Sequence, residues 1–275
     1  MLEKPIEKLL LDGDVELPFC LCWANEPWTR NWDGFTNAKE ILMPQEYGGE
    51  EEWIQHYKYL GQFFKHKKYI KKDGKPVIVI YNPSEIKERG KMFSCWRKMA
   101  KEDGFLGLYI INASRFISSR EFPFCGDAIF DFEPTATWYR VKGNAIYGMQ
   151  KEYNSINFSE NKKTYKTIDY AKYCEYMVNR YVFKKNHHYL GFFVGWDNCP
   201  RRGINTEMIF ENNAPEIFEK YFDIQYRRSV ELENDFLFIN AWNEWGEGNF
   251  LEPDEIYRMG YLEAIERVVT KYRIS

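Results

Sequence analysis

Two short segments of the 275-residue chain combine acidic side chains with tryptophans. In the first segment, NAWNEWGEG, Glu244 and Glu247 lie three residues apart among tryptophans. Residues three apart on a regular strand face opposite sides, but Gly246 and Gly248 permit a tight turn that brings the two carboxyls to one site. Two such carboxyls suit glycosidic-bond chemistry, in which one protonates the leaving oxygen and the other stays ionised near the reacting carbon.

We predict that Glu244 and Glu247 form a catalytic pair. Burial against indole rings would raise the pKa of one carboxyl, and mutual repulsion would separate the two pKa values. Trp242, Asn243 and Trp245 are predicted to bind the substrate. The alternative is a turn at a strand end that carries two exposed glutamates; the flanking Trp, Asn and Gly residues favour the site.

The second segment, WANEPWTRNWDG, resembles a carbohydrate subsite in its composition. Indole rings stack on sugar faces, while amide, carboxylate and guanidinium groups hydrogen-bond to hydroxyls. The residues predicted to bind substrate here are Trp23, Asn25, Glu26, Trp28, Arg30, Trp32 and Asp33. The alternative is a tryptophan-rich corner of the core in which Arg30 pairs with Asp33. Trp196 and Asp197 follow another apolar run and are predicted to bind hydroxyls.

No metal or other cofactor is predicted. The four histidines show neither an HExxH motif nor a regular spacing with carboxylates. Asp12-Gly13-Asp14 resembles the DxD of metal-dependent glycosyltransferases, but no predicted strand precedes it. Neither GxGxxG nor GxxxxGK[ST] occurs in the sequence.

Six nearly continuous apolar runs provide the elements that would position these residues. Such runs are typical of strands that are covered on both faces, as in parallel sheets. The runs are Leu17–Ala24, Lys75–Tyr81, Leu106–Asn112, Asp127–Glu133, Gly191–Asp197 and Phe236–Trp242. Amphipathic stretches between them predict helices; in one, Trp53, Tyr57, Leu60 and Phe64 recur at helical spacing.

Strands that alternate with helices predict an α/β fold with a parallel sheet. Polar or aromatic residues follow nearly every run, which favours a (β/α)₈ TIM-barrel type because its site is built from all the βα loops. Six of the eight strands are visible, so we predict a barrel incomplete at its amino-terminal side. The prediction is one domain over residues 1–275, with open sheet edges through which chains could self-associate.

Composition limits the class of protein. Hydrophobic residues at 44% and charged residues at 29% exclude a disordered chain. Thirty-eight basic and 41 acidic residues give a net charge of −3, so no nucleic-acid partner is predicted. Aromatic residues at 18% suit stacking against sugar rings. No membrane span and no secretory signal are visible, which predicts a cytoplasmic location.

The blocks LPFCLCWANEPWTRNWDG and FINAWNEWGEGNFLEPD resemble signature segments of the WbsX-like glycosyltransferases of lipopolysaccharide and capsule biosynthesis. That family is related to glycoside hydrolase family 99, and the similarity runs from about Leu2 to Tyr272. The resemblance implies a (β/α)₈ barrel. It also implies Glu247 as the acid/base and Glu244 as the group that assists attack by the sugar 2-hydroxyl, giving a 1,2-anhydro intermediate and net retention. The hydrolases carry a histidine at the position of Gly246.

The sequence thus predicts a carbohydrate-active enzyme that acts on glycosidic bonds of surface polysaccharides or lipopolysaccharide-type glycans. The family name favours glycosyl transfer, whereas the paired glutamates and the lack of a nucleotide motif favour a retaining hydrolase or transglycosidase. The alternative is a non-catalytic or degenerate carbohydrate-binding protein built on a truncated barrel. The predicted partner is an oligosaccharide or another sugar substrate.

Overall fold

A computed structural model describes residues 3–11, 16–30, 40–114, 125–140, 150–152, 166–180, 188–202 and 208–273. The chain divides into two compact units. The first unit comprises Met1–Trp28, Met43–Ala113 and Ser118–Ile129, and the second comprises Thr29–Leu42, Ser114–Ile117 and Phe130–Ser275. The prediction of one domain stays a prediction.

The described helices and strands follow one another along the chain as a mixed α/β sequence. The helices are α1 (Glu3–Leu11), α2 (Glu50–Phe64), α3 (Arg89–Glu102), α4 (Thr135–Arg140), α5 (Tyr170–Asn179), α6 (Cys199–Arg202), α7 (Pro215–Glu231) and α8 (Gly260–Arg273). The strands are β1 (Leu21–Trp23), β2 (Trp28–Thr29), β3 (Ile41–Met43), β4 (Lys71–Lys72), β5 (Lys75–Ile80), β6 (Tyr109–Ser114), β7 (Ala128–Asp131), β8 (Gln150–Glu152), β9 (Lys166–Asp169), β10 (His188–Phe193), β11 (Phe210–Glu211), β12 (Leu237–Asn240), β13 (Asn243–Glu244) and β14 (Asn249–Phe250).

The six predicted apolar runs each form a strand of the main sheet, in the order β1-β5-β6-β7-β10-β12. Strand β1 pairs with β5, β5 with β6 and β10 with β12, all in parallel. The short β4 is antiparallel to β5. Strands β9, β8 and β11 form a separate three-stranded sheet. The prediction of an α/β fold with parallel strands is therefore confirmed.

The core of the first unit lies between its helices and strand β5. Helix α2 buries the predicted stripe that includes Trp53, Tyr57 and Phe64. Its amino terminus carries Glu50, Glu51 and Glu52, and the Glu52 carboxylate accepts from the Gly49 backbone N–H at 2.8 Å. Acidic groups in this first turn stabilise the helix because the unpaired N–H groups there carry partial positive charge. The apolar face then packs on α3, where Phe93 and Trp96 are also buried.

The core of the second unit is an aromatic layer between strand β10 and helices α5 and α7. Asp169 precedes helix α5, and its carboxylate caps the helix by accepting from the Lys172 N–H at 3.0 Å. Helix α7 begins at Pro215, as the Asn213-Ala214-Pro215 sequence predicts, because proline favours the first turn. Phe218 and Phe222 of α7 stack one turn apart inside the unit.

A buried charged cluster joins the end of β7 to the amino end of β10. Asp131, which is fully buried, accepts hydrogen bonds from the Arg180 guanidinium and from His188 Nε2, the latter at 2.8 Å. Glu133, equally buried, accepts from the Thr137 hydroxyl at 2.7 Å and lies 3.4 Å from Arg180. The Glu133 backbone carbonyl accepts from Asn240 Nδ2 at 3.0 Å, so this cluster holds the end of β12.

The pKa values of the two carboxyls in this cluster are shifted in opposite directions. Burial opposes the charged form of Asp131, but Arg180 and His188 outweigh it and lower the pKa of that carboxyl. Burial raises the pKa of Glu133 to about 7, and the neighbouring Asp131 charge adds to this effect. A buried carboxyl that shares one guanidinium with a second carboxyl has less opposite charge to stabilise it.

Candidate active site

Strand β12 leads into a short hairpin that carries both predicted catalytic residues. Strands β13 and β14 pair antiparallel, with Asn243 opposite Phe250 and Glu244 opposite Asn249. A 3₁₀ turn at Trp245–Glu247 connects them and ends at Gly248, which is left-handed at φ 58° and ψ 31°. Glycine adopts this left-handed conformation without strain, whereas another residue would be strained and would place its Cβ only 3.1 Å from the Asp197 Cβ.

The turn changes the geometric relation between Glu244 and Glu247. Glu244 directly precedes the 3₁₀ turn and Glu247 is its last residue. In a 3₁₀ helix, side chains three residues apart are eclipsed, whereas on a strand they face opposite sides. Both glutamates are half-buried. The predicted tight turn is present, but Glu244 itself is outside the helical region at φ −84° and ψ 62°, so the convergence of the two carboxyls stays a prediction.

The carboxyl end of β10 packs directly against this turn. The Asp197 N–H donates to the Glu247 carbonyl at 2.7 Å, and the Asp197 carboxylate accepts from the Cys199 N–H at 2.9 Å. Trp196 is different: its carbonyl accepts from the Phe210 N–H at 2.8 Å, and its half-buried ring packs against the core of the second unit. Asp197 is therefore brought to Glu247, while Trp196 contributes packing.

Two asparagines that the sequence analysis did not select lie at the same place. Asn198 is 5% exposed, and its Nδ2 donates to Glu247 Oε1 at 3.4 Å. Asn249 is fully buried, and its Oδ1 accepts from the N–H groups of Val194 and Gly195 at 3.2 and 3.3 Å. Within the described residues, Asn198 Oδ1 and Asn249 Nδ2 have no hydrogen-bond partner. Asn198 directly follows the apolar run that ends at Asp197, whereas no local pattern in the sequence marks Asn249.

Two tryptophans of the hairpin segment are open to solvent. Trp242 is 52% exposed and Trp245 is 48% exposed. The Trp245 indole stacks on Phe250 with ring centroids 3.6 Å apart and the planes inclined by 15°. Its Nε1–H donates to Glu252 Oε2 at 2.6 Å. Asn243, the third predicted substrate-binding residue of this segment, is also exposed.

In the first unit, the residues at the end of β1 serve the core more than the surface. Trp23 is half-buried and lies edge-on to His56, with ring centroids 4.5 Å apart. Burial lowers the pKa of His56 to about 4. Asn25 is fully buried, with Oδ1 accepting from the Asn82 N–H and Nδ2 donating to the Asn82 carbonyl, both at 2.7 Å. The core-corner alternative thus describes Trp23 and Asn25 well.

Glu26 and Trp28 are the more accessible members of that segment. Glu26 is half-buried and accepts from Asn82 Nδ2 at 2.9 Å, so Asn82, which the sequence analysis did not select, orients it. Trp28 is 43% exposed. In the second unit, the exposed Arg30 pairs with Glu40 at 2.6 Å. Trp32 and Asp33 lie outside the described residues.

Neither a metal cluster nor a membrane helix is found in the part of the chain that the structure describes. No group of three or more His, Cys, Asp or Glu side chains there could hold a metal ion. No helix in the described ranges is long and apolar enough to cross a bilayer. The predicted cytoplasmic location and the predicted self-association stay predictions.

The sequence profile of glycosyltransferase WbsX matches residues 1–265. The chain belongs to the glycosyltransferase WbsX family. WxcX proteins from two strains of Xanthomonas campestris pathovar campestris are 27% identical to this WbsX-family chain over 274 residues. The alignment covers 98% of the chain and 37% of each WxcX protein, so the chain spans little more than a third of these relatives. The predicted family is confirmed.

Solved structures confirm the barrel-type fold. The GH99 endo-α-mannosidase from Bacteroides thetaiotaomicron matches with a TM-score of 0.57 and 16% identity, covering 98% of this chain and 72% of that enzyme. Its complex with bis-tris-propane matches with a TM-score of 0.58 at 16% identity, over 98% of this chain and 74% of that one. A glycoside hydrolase-like protein matches with a TM-score of 0.52 and 17% identity, over 88% and 65% of the two chains.

Proposed function

We propose that this WbsX-family chain is a carbohydrate-active enzyme in which Glu244 and Glu247 react with a glycosidic bond. The observation that carries the proposal is the 3₁₀ turn at Trp245–Glu247, which begins directly after Glu244 and keeps both glutamates in one short turn beyond the carboxyl end of the parallel strand β12. Barrel enzymes assemble their sites at that end of the sheet. The exposed rings of Trp242 and Trp245 flank the pair in sequence and offer apolar surface to a sugar.

The two glutamates take the roles that the family resemblance implies. Glu247, to which Asn198 donates a hydrogen bond, would give its proton to the leaving oxygen as the bond breaks. Glu244 would take the proton of the sugar 2-hydroxyl while that oxygen attacks the anomeric carbon, which forms a 1,2-anhydro sugar. Water, or another sugar hydroxyl, would then open the three-membered anhydro ring from the opposite face with Glu247 as base, while Glu244 returns its proton to the 2-oxygen. Two inversions at one carbon give net retention.

This chemistry favours hydrolysis or transglycosylation over transfer from a nucleotide sugar. A retaining reaction at a pair of carboxyls needs no nucleotide and no metal ion, and the reacting groups are supplied by the chain. Surface polysaccharides and lipopolysaccharide-type glycans are the proposed substrate class, in keeping with the family resemblance. Because a structural neighbour is named an endo-α-mannosidase, α-linked manno-oligosaccharides are the first substrates to try.

The second candidate function is carbohydrate binding without turnover. Two observations favour it. Asn25, a predicted substrate-binding residue, is bonded to the Asn82 backbone inside the protein, and position 246 is a glycine where the hydrolases that the chain resembles carry a histidine. The exposed indoles of Trp242 and Trp245 would bind sugar in either case. Binding alone would need neither carboxyl to change its protonation state.

Substitution of the two glutamates separates the candidates. Four proteins are incubated with α-linked manno-oligosaccharides and with lipopolysaccharide-derived oligosaccharides. They are the full chain, its Glu247→Gln and Glu244→Gln variants, and the matched surface control Glu255→Gln. We expect turnover with a retained anomeric centre in the first product by NMR, and a loss of about a hundredfold or more in the Glu247→Gln and Glu244→Gln variants with binding preserved.

Different failures have different meanings in this experiment. Binding without turnover in the unmodified chain would support the binding protein over the enzyme. An inverted first product would exclude the 1,2-anhydro route. Turnover that survives both substitutions would refute the proposed pair altogether.

A further inference from the structure

The Trp245 indole is held in one position by two independent contacts. Phe250 covers one of its faces, with ring centroids 3.6 Å apart and a plane angle of 15°. Its only polar atom, Nε1, donates to Glu252 Oε2 at 2.6 Å. The side chain is nevertheless 48% exposed. Because one face and the polar edge are used, the exposed area belongs to the opposite face and the outer edge.

A fixed, exposed indole is suited to one kind of ligand surface. The C–H face of a pyranose ring is flat and weakly polar and packs against the π-face of tryptophan. A ring that is already held in its binding orientation loses little conformational entropy when the sugar arrives. Trp245 directly follows Glu244 and is the first residue of the turn that ends at Glu247, so a sugar stacked on it would bind to the same short segment that carries both carboxyls.

We propose that Trp245 is a preformed stacking surface for one pyranose ring of the substrate, and that Glu252 is the positioning residue that holds it. This inference takes its ligand class, a glycan, from the proposed function. Glu252 does not touch the sugar; it acts by keeping the indole edge bonded and its free face turned outward. Phe250 packs against the face of the Trp245 indole that is turned away from the sugar.

The hairpin itself does not depend on the Glu252 side chain. Strands β13 and β14 are paired through their backbones, and the Leu251 and Glu252 N–H groups both donate to the Trp242 carbonyl at 2.9 Å. Removing the Glu252 carboxylate would therefore release the indole while the backbone pairing remains. This separation makes a positioning role distinguishable from a purely structural one.

The test follows the indole and the sugar together. The ¹⁵N-labelled full chain is titrated with methyl β-D-glucopyranoside, methyl β-D-galactopyranoside and methyl α-D-mannopyranoside. The same titrations are made with three variants: Glu252→Ala, Glu252→Gln and Glu255→Ala. The Trp245 Nε1–H resonance is assigned from its loss in Trp245→Phe. Glu255 is an exposed acid close by on the same loop and serves as the matched control.

We expect at least one glycoside to shift the Trp245 resonance in the unmodified chain. Glu252→Ala should move that resonance before any sugar is added and weaken affinity by about threefold to tenfold, as expected when binding of the sugar must also order one released side chain. Glu252→Gln should restore affinity to within about twofold, because its amide oxygen also accepts from Nε1–H. Glu255→Ala should behave as the unmodified chain does.

The inference would be overturned by equal affinity in Glu252→Ala and the unmodified chain, by a Glu252→Gln variant as weak as Glu252→Ala, or by no glycoside binding at all. Its failure is separable from failure of the proposed reaction. Glycan hydrolysis with an unmoved Trp245 resonance would overturn the stacking surface alone. A shifted Trp245 resonance with no hydrolysis of any glycan would overturn the catalytic proposal alone.

Discussion

Replacing Asp131 by asparagine should cost this protein a large part of its stability. The substitution keeps the shape of the side chain and removes only the charge that Arg180 and His188 face. Asp131 is fully buried, and the Arg180 side chain is only 10% exposed. Breaking a buried pair by removing one partner leaves the other charge desolvated, which costs about 3–5 kcal/mol.

The structure places this cost in the upper part of that range. Within the described residues, Arg180 Nε and Nη1 are already buried without hydrogen-bond partners, so Asp131 is the main compensation for the guanidinium charge. Glu133 lies further away, at 3.4 Å. A typical domain is stable by only about 5–15 kcal/mol, so the variant should unfold at a much lower urea concentration.

The assay is urea unfolding at pH 7 followed by tryptophan fluorescence and far-UV circular dichroism. An unchanged dependence on urea, with a lower midpoint, would show that the change is in stability. Asp223→Asn is the matched control, because Asp223 pairs with the exposed Lys271 on the surface and its loss should change stability little. If Asp131→Asn and Asp223→Asn unfold at the same urea concentration, the argument from the buried cluster is refuted.

Three further predictions concern single side chains. Because burial raises the pKa of Glu133 to about 7, the folded protein holds that proton more tightly than the unfolded chain, so the contribution of Glu133 to the unfolding free energy should fall as pH rises from about 4.5 to 7. His56, whose pKa burial lowers to about 4, contributes with the opposite sign, so urea titrations should show the fall in the difference between the unmodified chain and Glu133→Gln. Gly248→Ala should destabilise the protein by about 1–2 kcal/mol and abolish turnover, through its left-handed backbone and its contact with Asp197. Gly104→Ala is the control: Gly104 also has a positive φ, +89°, but its Cβ position is surrounded by open space. If Gly104→Ala and Gly248→Ala behave equally in unfolding and in glycan assays, the contact with Asp197 does not matter and this reasoning is contradicted. Asn198→Ala should lower kcat by about tenfold with KM nearly unchanged, because the lost hydrogen bond acts on the Glu247 carboxylate; a rise in KM alone would assign Asn198 to sugar binding instead.

The local elements were predictable because their signals are local. Strand β5 was visible as the run KPVIVI, since a strand covered on both faces must be apolar at successive positions. Helix α2 was visible from the spacing of Trp53, Tyr57 and Phe64, because only a helix brings them to one face. The turn at Gly246–Gly248 was predicted from glycine for the same reason.

The functions of individual tryptophans were not predictable in this way. Trp23 lies at the end of one apolar run and Trp245 shortly after another, each in a segment rich in Asn and Glu, so their sequence contexts are alike. In the structure, Trp23 lies in an aromatic cluster with His56, while Trp245 lies on Phe250 with its other face exposed. The difference arises from neighbours that the rest of the chain supplies.

By itself, the sequence determined the six parallel strands, the helices between them, the family and the turn that carries Glu244 and Glu247. Only the tertiary structure decided which polar side chains are buried and bonded to other parts of the protein. Asp131 meets Arg180 and His188 across 49 and 57 residues of chain, and Asn198 meets Glu247 across another 49. Backbone periodicity acts over a few residues, whereas the partner of a buried charge or amide is set by packing between distant segments, and no local pattern encodes it.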